Sequence, residues 1–204
     1  MKILPTMIAS AILGLGLTSG ANAVDNNSVY FKAPLDFAGT GCPSGSTAVA
    51  GENTDTLSIL FDSYDAGKDS VSGKKRVACS FAVPVHVPEG MQVSVMKADW
   101  QGFVEGKGEL RRKYFFAGQP NEPWEVSTFD QPAGYNFTET DARLHGSLSY
   151  SECGEDKMIR INSSIRAKGS NSYMAVDTLD LKNKVVFKLQ WRACGSDEPL
   201  TPWI

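Results

Sequence analysis

The chain has 204 residues and a formal net charge of −3, a length that suits one domain with a hydrophobic core and is short for two. The mildly acidic balance argues against nucleic acid and against membrane insertion, and the composition calls for no cofactor. We therefore expect a monomer whose partner is a protein or a carbohydrate.

The N-terminus has the pattern of a secretory signal peptide. Lys2 precedes an apolar run over Met7–Leu17, and the small-residue ending Ala21–Ala23 predicts cleavage before Val24. The run is too short to anchor the chain in a bilayer, and no cysteine follows it for lipid attachment. We expect a secreted or periplasmic protein made of a signal peptide (1–23), one β domain (24–194) and a C-terminal tail (195–204).

A hairpin is the clearest element of the chain. Every odd position of Val77–Val87 is apolar, which is the period of a strand with one buried face. Pro88–Gly90 supplies the turn, and the alternation resumes at Met91. It changes phase after Val95, which predicts a β-bulge near Val95 and Met96.

Other segments alternate in the same way, and no window shows ten residues of helical periodicity. About ten strands joined by turns predict an all-β fold, an antiparallel, jelly-roll-like β-sandwich with a closed β-barrel as the alternative. The further predicted strands are Val29–Ala33, Thr56–Tyr64, Leu110–Ala117, Trp124–Thr128, Leu144–Tyr150, Met158–Ala167, Tyr173–Leu181 and Lys184–Arg192.

Strand parity also predicts the core. The side chains expected to be nearly inaccessible are Leu57, Ile59, Phe61, Phe81, Val83, Val85, Val93, Ile159, Ile161, Phe187, Leu189 and Trp191. By the same parity we place Trp124 in the core.

An even number of cysteines in an exported chain predicts disulfides. The nearest two cysteines are 37 positions apart, which does not suit the close pairs of a zinc site. Three pairings are possible, and the succession of hairpins favours Cys42 with Cys79 and Cys153 with Cys194. Each bond would close a loop of about 40 residues, worth roughly 4 kcal/mol in the chain-entropy model.

The longest segment without a clear strand pattern is Asp130–Arg143, with a possible helical turn near Thr138. Long loops on a β scaffold often bind ligands. We place Trp100–Gly102 at the end of the hairpin, where the bulge turns the indole outward. These segments and the tail predict an exposed aromatic binding platform of Trp100, Tyr135, Phe137 and Trp203.

A second candidate is a basic face. Its predicted members point outward from two strands: Arg160, Asn162, Arg166, Lys188, Gln190 and Arg192. A solvated sheet surface explains the same pattern equally well.

Catalytic and metal chemistry is less well supported. The two histidines, His86 and His145, are distant in sequence, and no G-x-S-x-G motif is present. Carboxylate pairs such as Glu105 with Glu109 or Glu139 with Asp141 are compatible with glycoside hydrolysis but are more often solvated. A calcium site at Asp62, Asp65 and Asp69 lacks the ligand spacing of an EF-hand, and a solvated turn is favoured. We predict no catalytic residue and no metal.

Several short motifs occur in order along the chain: Gly39–Pro43, Leu57–Asp62, Arg76–Cys79, Val85–Gly90, Asp99–Gly102, Tyr114–Gly118, Ser151–Gly154 and Gln190–Cys194. Together they resemble the domain of unknown function family 4360, small secreted proteins of bacteria and fungi. The resemblance implies export, four paired cysteines and a β domain, and it supplies no catalytic residues.

The sequence therefore favours an exported, non-catalytic binding or surface-associated module. The alternatives are an exported hydrolase that uses loop carboxylates and a secreted protein inhibitor that inserts a loop into its target.

Overall fold

The structure is a computed structural model that describes residues 28–119, 123–142, 150–176 and 185–197. Within those ranges the regular elements are eleven strands, β1 (Tyr30–Phe31), β2 (Asp36–Ala38), β3 (Thr47–Ala50), β4 (Thr56–Phe61), β5 (Asp65–Gly67), β6 (Arg76–His86), β7 (Met91–Phe116), β8 (Glu125–Ala142), β9 (Lys157–Ala167), β10 (Tyr173–Val176) and β11 (Val185–Ala193). The described ranges contain no helix long and apolar enough to cross a membrane. The predicted signal peptide (1–23), His145 and Trp203 lie outside the described residues, and so does the strand predicted over Leu144–Tyr150 except for Tyr150.

Strand β7, 26 residues long, organises the fold because it belongs to both of its layers. One edge of β7 pairs in succession with β11 over residues 91–100, with β10 over 102–105 and with β9 over 108–116. The other edge pairs with β8 over 97–112. All of these pairings are antiparallel.

The change of partner along β7 divides the strands into two sheets that face each other. The first sheet contains the start of β7 with β11, β4 and β3, and the second contains its end with β9, β6, β1 and β2. Phe81 of β6 meets Phe187 of β11 edge-on, with ring centroids 5.8 Å apart. The predicted antiparallel β-sandwich is confirmed, and the pairing path of the described strands runs from β1 to β3 without closing into a barrel.

The core between the sheets is largely the predicted one. Of the twelve side chains expected there, all but Trp191 are at most 3% exposed. Trp191 is partly buried and packs against the same cluster. Alternation along β6 is clear: Val77, Cys79 and Phe81 point inward and their neighbours outward.

The predicted β-bulge is present and corrects one expectation. Leu189 pairs with Val95 and Lys188 with Lys97, so that the register passes over Met96. Because one extra residue reverses the parity of a strand, Trp100 points into the core. Its side chain is fully buried, and the prediction that the bulge would expose it is wrong.

Strand β8 corrects a second expectation. The segment predicted as an irregular loop from Asp130 continues the strand as far as Ala142. Apart from Phe137, the inward positions of β8 are at most partly buried and several carry polar side chains, among them Ser127, Glu139 and Asp141, and for that reason its sequence lacks the alternation that would have identified it. The one irregularity lies opposite Glu105, where Pro132 and Gly134 (φ 81°) interrupt the ladder.

The predicted disulfides are confirmed. Cys42 is bonded to Cys79, which ties the segment after β2 to β6. Cys153 is bonded to Cys194, which ties the segment before β9 to the end of β11. None of the four cysteines is free.

Candidate functional site

The predicted aromatic platform is not formed by these side chains. Trp100 lies in the core, and Phe137 is 2% exposed with its ring centroid 4.8 Å from that of Phe129. Of the three members that the structure describes, only Tyr135 matches the expectation, with 51% of its surface exposed. Phe137 is buried because β8 is a paired strand whose inner side chains reach the core, and Trp100 is buried because the bulge turns it inward.

Trp100 is instead part of a buried polar network that joins β7 to β8. Arg112, 3% exposed, donates from Nε and Nη2 to the two carboxylate oxygens of Asp141 at 2.8 and 2.5 Å. Tyr114 donates to Asp141 Oδ2 at 2.5 Å and accepts a bond from Trp100 Nε1 at 2.6 Å. Arg112 Nη1 also donates to Ser127 Oγ at 2.8 Å.

Burial and coupling shift the proton affinities in this network. Burial disfavours the charged guanidinium, but the bonds to Asp141 outweigh it, and the pKa of Arg112 is raised. Burial, followed by the nearby carboxylate of Asp141, raises the pKa of Tyr114 well above its ordinary value. Arg112 and Tyr114 therefore keep their protons at neutral pH, and the network holds one charge pair.

Three of the four carboxylates considered for hydrolysis have structural partners. Asp141 fastens β8 to β7 through Arg112, and Glu139 accepts a bond at 2.6 Å from Ser127 Oγ of the same strand. In the second pair, Lys168 donates to Glu109 at 2.6 Å, and this bond lowers the pKa of Glu109. These contacts give no support to a role as general acid or base.

His86 and Asp65 also have structural partners. His86 Nδ1 lies 2.8 Å from Asp156, which also pairs with Lys32. Asp65, 2% exposed, accepts a bond from the backbone of Val71 at 2.9 Å and so fixes the loop after β5. Within the described ranges no three histidine, cysteine or acidic side chains converge as metal ligands.

A shallow polar cleft opens beside this loop. It has a volume of about 260 Å³ and is lined by Lys68, Asp69, Glu105, Asn171 and Tyr173. Ligand pockets usually enclose about 300 to 1,000 Å³ with mostly apolar walls, and this cleft is smaller and polar. The open sheet faces are therefore better candidates for a binding site.

The outer surface of the second sheet carries a concentration of cations. We call it the cationic face and define it as the outward side chains of β6, β7 and β9 together with Trp124 and Val126. Its charged members without an ion-pair partner among the described residues are Arg76, Arg111, Lys113, Arg160 and Arg166. Glu109, also on this face, is neutralised by Lys168.

An aromatic ring packs against two of these cations. The guanidinium carbon of Arg111 lies 5.0 Å and the ammonium of Lys113 lies 5.3 Å from the ring centroid of Trp124. Trp124 is 38% exposed and Val126 beside it is 50% exposed. Contacts between cations and a ring hold the indole in place while leaving part of it open to solvent.

The expectation that Trp124 lies in the core is wrong, and the reason is its position in the sheet. Trp124 immediately precedes β8, which lies at the edge of the second sheet among the described strands, so none of those strands covers it. Side-chain parity assigns a residue to a face of the sheet but does not reveal whether that face is covered.

The predicted basic row is divided between the two sheets. Arg160 and Arg166 are exposed on β9, as expected. Lys188, Gln190 and Arg192 project from β11 in the other sheet, and Gln190 is fully buried. Arg192 stacks on Tyr150, with its guanidinium carbon 3.9 Å from the ring centroid. The prediction from sequence identified the β9 part of the face but missed Arg111, Lys113 and Trp124. Arg111 and Lys113 alternate with inward-pointing residues of β7, and this alternation could have placed them on the same face as the β9 arginines.

The fold and the two disulfides define a small exported β-sandwich protein with an open, cationic sheet face. The chain belongs to the family described as Domain of unknown function (DUF4360), whose model matches residues 33–194. A protein of Arthroderma benhamiae described as an uncharacterized secreted protein is 26% identical over 186 residues, which cover 86% of this chain and 76% of that protein. The secreted relative and the disulfides agree with the predicted export.

Two solved structures show a loose similarity. TmCBM61, solved in complex with β-1,4-galactotriose, matches 77% of this chain and 88% of its own, with 12% identity and a TM-score of 0.32. The family 11 carbohydrate-binding module of the Clostridium thermocellum cellulase Lic26A-Cel5E matches 84% of this chain and 99% of its own, with 7% identity and a TM-score of 0.16. Superpositions this loose carry no argument about the ligand of this chain.

Proposed function

We propose that this chain is an exported, non-catalytic binding module, and that it holds its ligand on the cationic face after removal of residues 1–23. The observation that carries the proposal is the partly exposed Trp124 ring supported by Arg111 and Lys113. Exposed aromatic and arginine side chains are the residue types that dominate binding energy at protein surfaces.

The shape of the face supports binding of an extended partner. It is an open sheet surface rather than a concave pocket, and its strands are tied to a disulfide through Cys79 of β6. A rigid surface loses little conformational entropy on binding, which favours affinity. The tail after residue 194 is proposed to lie outside this module.

The alternatives have less support from the described residues. Of the carboxylates that a hydrolase would use, Asp141 is paired with Arg112 of β7, and Glu139 is bonded to Ser127 within β8. The segment from Asp130 that an inhibitor would insert into its target belongs to a strand that pairs with β7 on both sides of the interruption at Pro132–Gly134. The observations therefore favour the binding module.

The experiment is binding of the mature protein to a panel of insoluble polysaccharides and immobilised secreted proteins. Trp124→Ala is expected to reduce the retained fraction at least tenfold with an unchanged melting temperature. The matched control is Tyr135→Ala, which removes another exposed ring from the same hairpin. Equal retention of wild type and Trp124→Ala, or equal loss in both variants, would contradict the proposal.

A further inference from the structure

The cations of the cationic face that have no ion-pair partner among the described residues lie close together, on the three adjacent strands β6, β9 and β7. Elsewhere Lys32 pairs with Asp156, Lys97 with Asp99 and Lys107 with Asp130. The protein carries a formal net charge of −3 as a whole, so the excess of positive charge on this face is local.

Strand register places the cations around a strip of small side chains. Arg111 is opposite Ser164, which is opposite Ala78. One step along the strands, Lys113 is opposite Asn162, which is opposite Ser80. The side chains of the strip are therefore shorter than those around it, and Arg111 and Lys113 lie along one side of it.

The ends of the strip are also positive. Arg166 is opposite Arg76 at one end, and Arg160 lies six residues along β9 at the other. At about 3.3 Å per residue the two arginines of β9 are roughly 20 Å apart. An object that contacts them together must be extended and must carry several negative charges.

From this arrangement, and building on the proposed function, we propose that the ligand of the cationic face is a polyuronate, a polysaccharide whose repeating sugars carry carboxylates. The planar guanidinium binds carboxylates through two parallel hydrogen bonds. One exposed ion pair contributes little, but a polymer engages several at once and gains from their linkage. The Trp124 ring offers an apolar surface on which a sugar ring can stack.

A nucleic acid fits the face less well. Single strands are bound by successive aromatic rings, each stacked on one base. In the described part of the face, Trp124 is the only exposed aromatic side chain, and Phe115 beside Lys113 is partly buried. Several cations beside one exposed aromatic ring suit a chain of charged sugars better than a chain of bases.

The test compares two forms of one polymer. Polygalacturonate and its fully methyl-esterified form have the same backbone, and esterification removes the charges. Isothermal titration calorimetry of the mature wild type is expected to show binding of polygalacturonate at least tenfold tighter than of the ester. The affinity for polygalacturonate should also fall several-fold between 50 and 500 mM NaCl, because salt screens exposed ion pairs.

Paired variants locate the interaction. Arg160→Gln with Arg166→Gln is expected to weaken binding about fivefold for each cation removed. The matched control makes the same change in charge away from the face, with Lys68→Gln and Lys188→Gln, and is expected to bind as the wild type does. Melting curves of both variants establish that they are folded.

Several results would overturn the inference. Equal affinity for the acid and the ester, or preferential binding of a single-stranded DNA or of dextran sulfate, which has no carboxylate, would exclude a carboxylate polymer as the specific ligand. Binding of a neutral polymer that depends on Trp124 but not on salt would leave the proposed function intact while rejecting the polyuronate. Equal binding by the wild type and Trp124→Ala would reject both the proposed function and the polyuronate ligand.

Discussion

Two arginines that are adjacent in sequence have opposite environments in this molecule. Arg112 points inward from β7, is 3% exposed and forms a bidentate ion pair with Asp141. Arg111 points outward, lies under the Trp124 ring and has a buried Nε without a hydrogen-bond partner. Strand alternation alone separates them.

The comparison shows that residue type says little about role in a sheet. Arg112 contributes to the fold because Asp141, Ser127 and the carbonyl of Leu110 satisfy its donors. Arg111 makes no comparable bonds, and its charge remains available at the surface. Residues on the inner face should therefore control stability, and those on the outer face should control binding.

The largest effect is expected from Arg112→Met. Methionine fills much of the same space but leaves the carboxylate of Asp141, 9% exposed, without its cation. Removing one partner of a buried pair costs about 3 to 5 kcal/mol. Urea unfolding followed by tryptophan fluorescence measures the change in the free energy of unfolding.

The control for this change is Asp130→Ala on β8. Its pair with Lys107 has N and O atoms 3.5 Å apart and 64% exposed side chains, so its loss should cost less than about 1 kcal/mol. Similar losses for Arg112→Met and Asp130→Ala would show that the buried network does not stabilise the fold.

The next largest effect is expected from Tyr114→Phe. Loss of the hydroxyl leaves the buried Nε1 of Trp100 without its acceptor and removes a donor from Asp141. An unsatisfied buried polar group costs about 1 to 3 kcal/mol. Tyr135→Phe, which removes a hydroxyl from an exposed ring, should change the free energy of unfolding by less than about 0.5 kcal/mol. Equal losses of stability in Tyr114→Phe and Tyr135→Phe would contradict the role of the Tyr114 hydroxyl in the buried network.

Stability should also fall at alkaline pH. Burial raises the pKa of Tyr64 and, together with Asp141, that of Tyr114, whereas in the unfolded chain both ionise near pH 10. Above about pH 10 the unfolded state has lost protons that the folded state keeps, so the free energy of unfolding decreases as pH rises. Each tyrosine contributes up to about 1.4 kcal/mol per pH unit, and neither contributes below that range.

Urea midpoints measured from pH 8 to pH 11 test this pH dependence. The double variant Tyr64→Phe with Tyr114→Phe should be less stable at pH 8 but show a flatter decline above pH 10. A decline as steep as that of the wild type would assign the alkaline sensitivity to other groups.

Much of the fold could be predicted because its signals are local. Alternation identified the buried face of β6, and the change of phase after Val95 identified the bulge. Hairpin order gave the disulfide partners of Cys79 and Cys194. Each of these features follows from neighbouring residues and from the period of a strand.

The errors concern features that depend on distant partners. Strand β8 forms because β7 offers a long free edge, and its exposed faces leave no alternation in the sequence around Tyr135. The predicted orientation of Trp100 is wrong because the position of the bulge does not by itself decide which side chains after it point inward. The pairing of β7 with β11 decides it. Exposure of Trp124 follows from its place at the sheet edge, which no short stretch of sequence records.

Only a small change in stability is expected from Arg111→Met, the same substitution as at the adjacent Arg112. It removes a cation–π contact with Trp124, worth about 0.5 to 1 kcal/mol at an exposed site. It also removes a buried Nε that has no hydrogen-bond partner, and relief of that cost acts in the opposite direction. The two contributions nearly cancel, so the free energy of unfolding should change by less than about 1 kcal/mol. Urea unfolding measures both methionine variants side by side. A loss at Arg111 as large as that at Arg112 would mean that the outer face also holds the fold together, and the division between a stabilising inner face and a binding outer face would not stand.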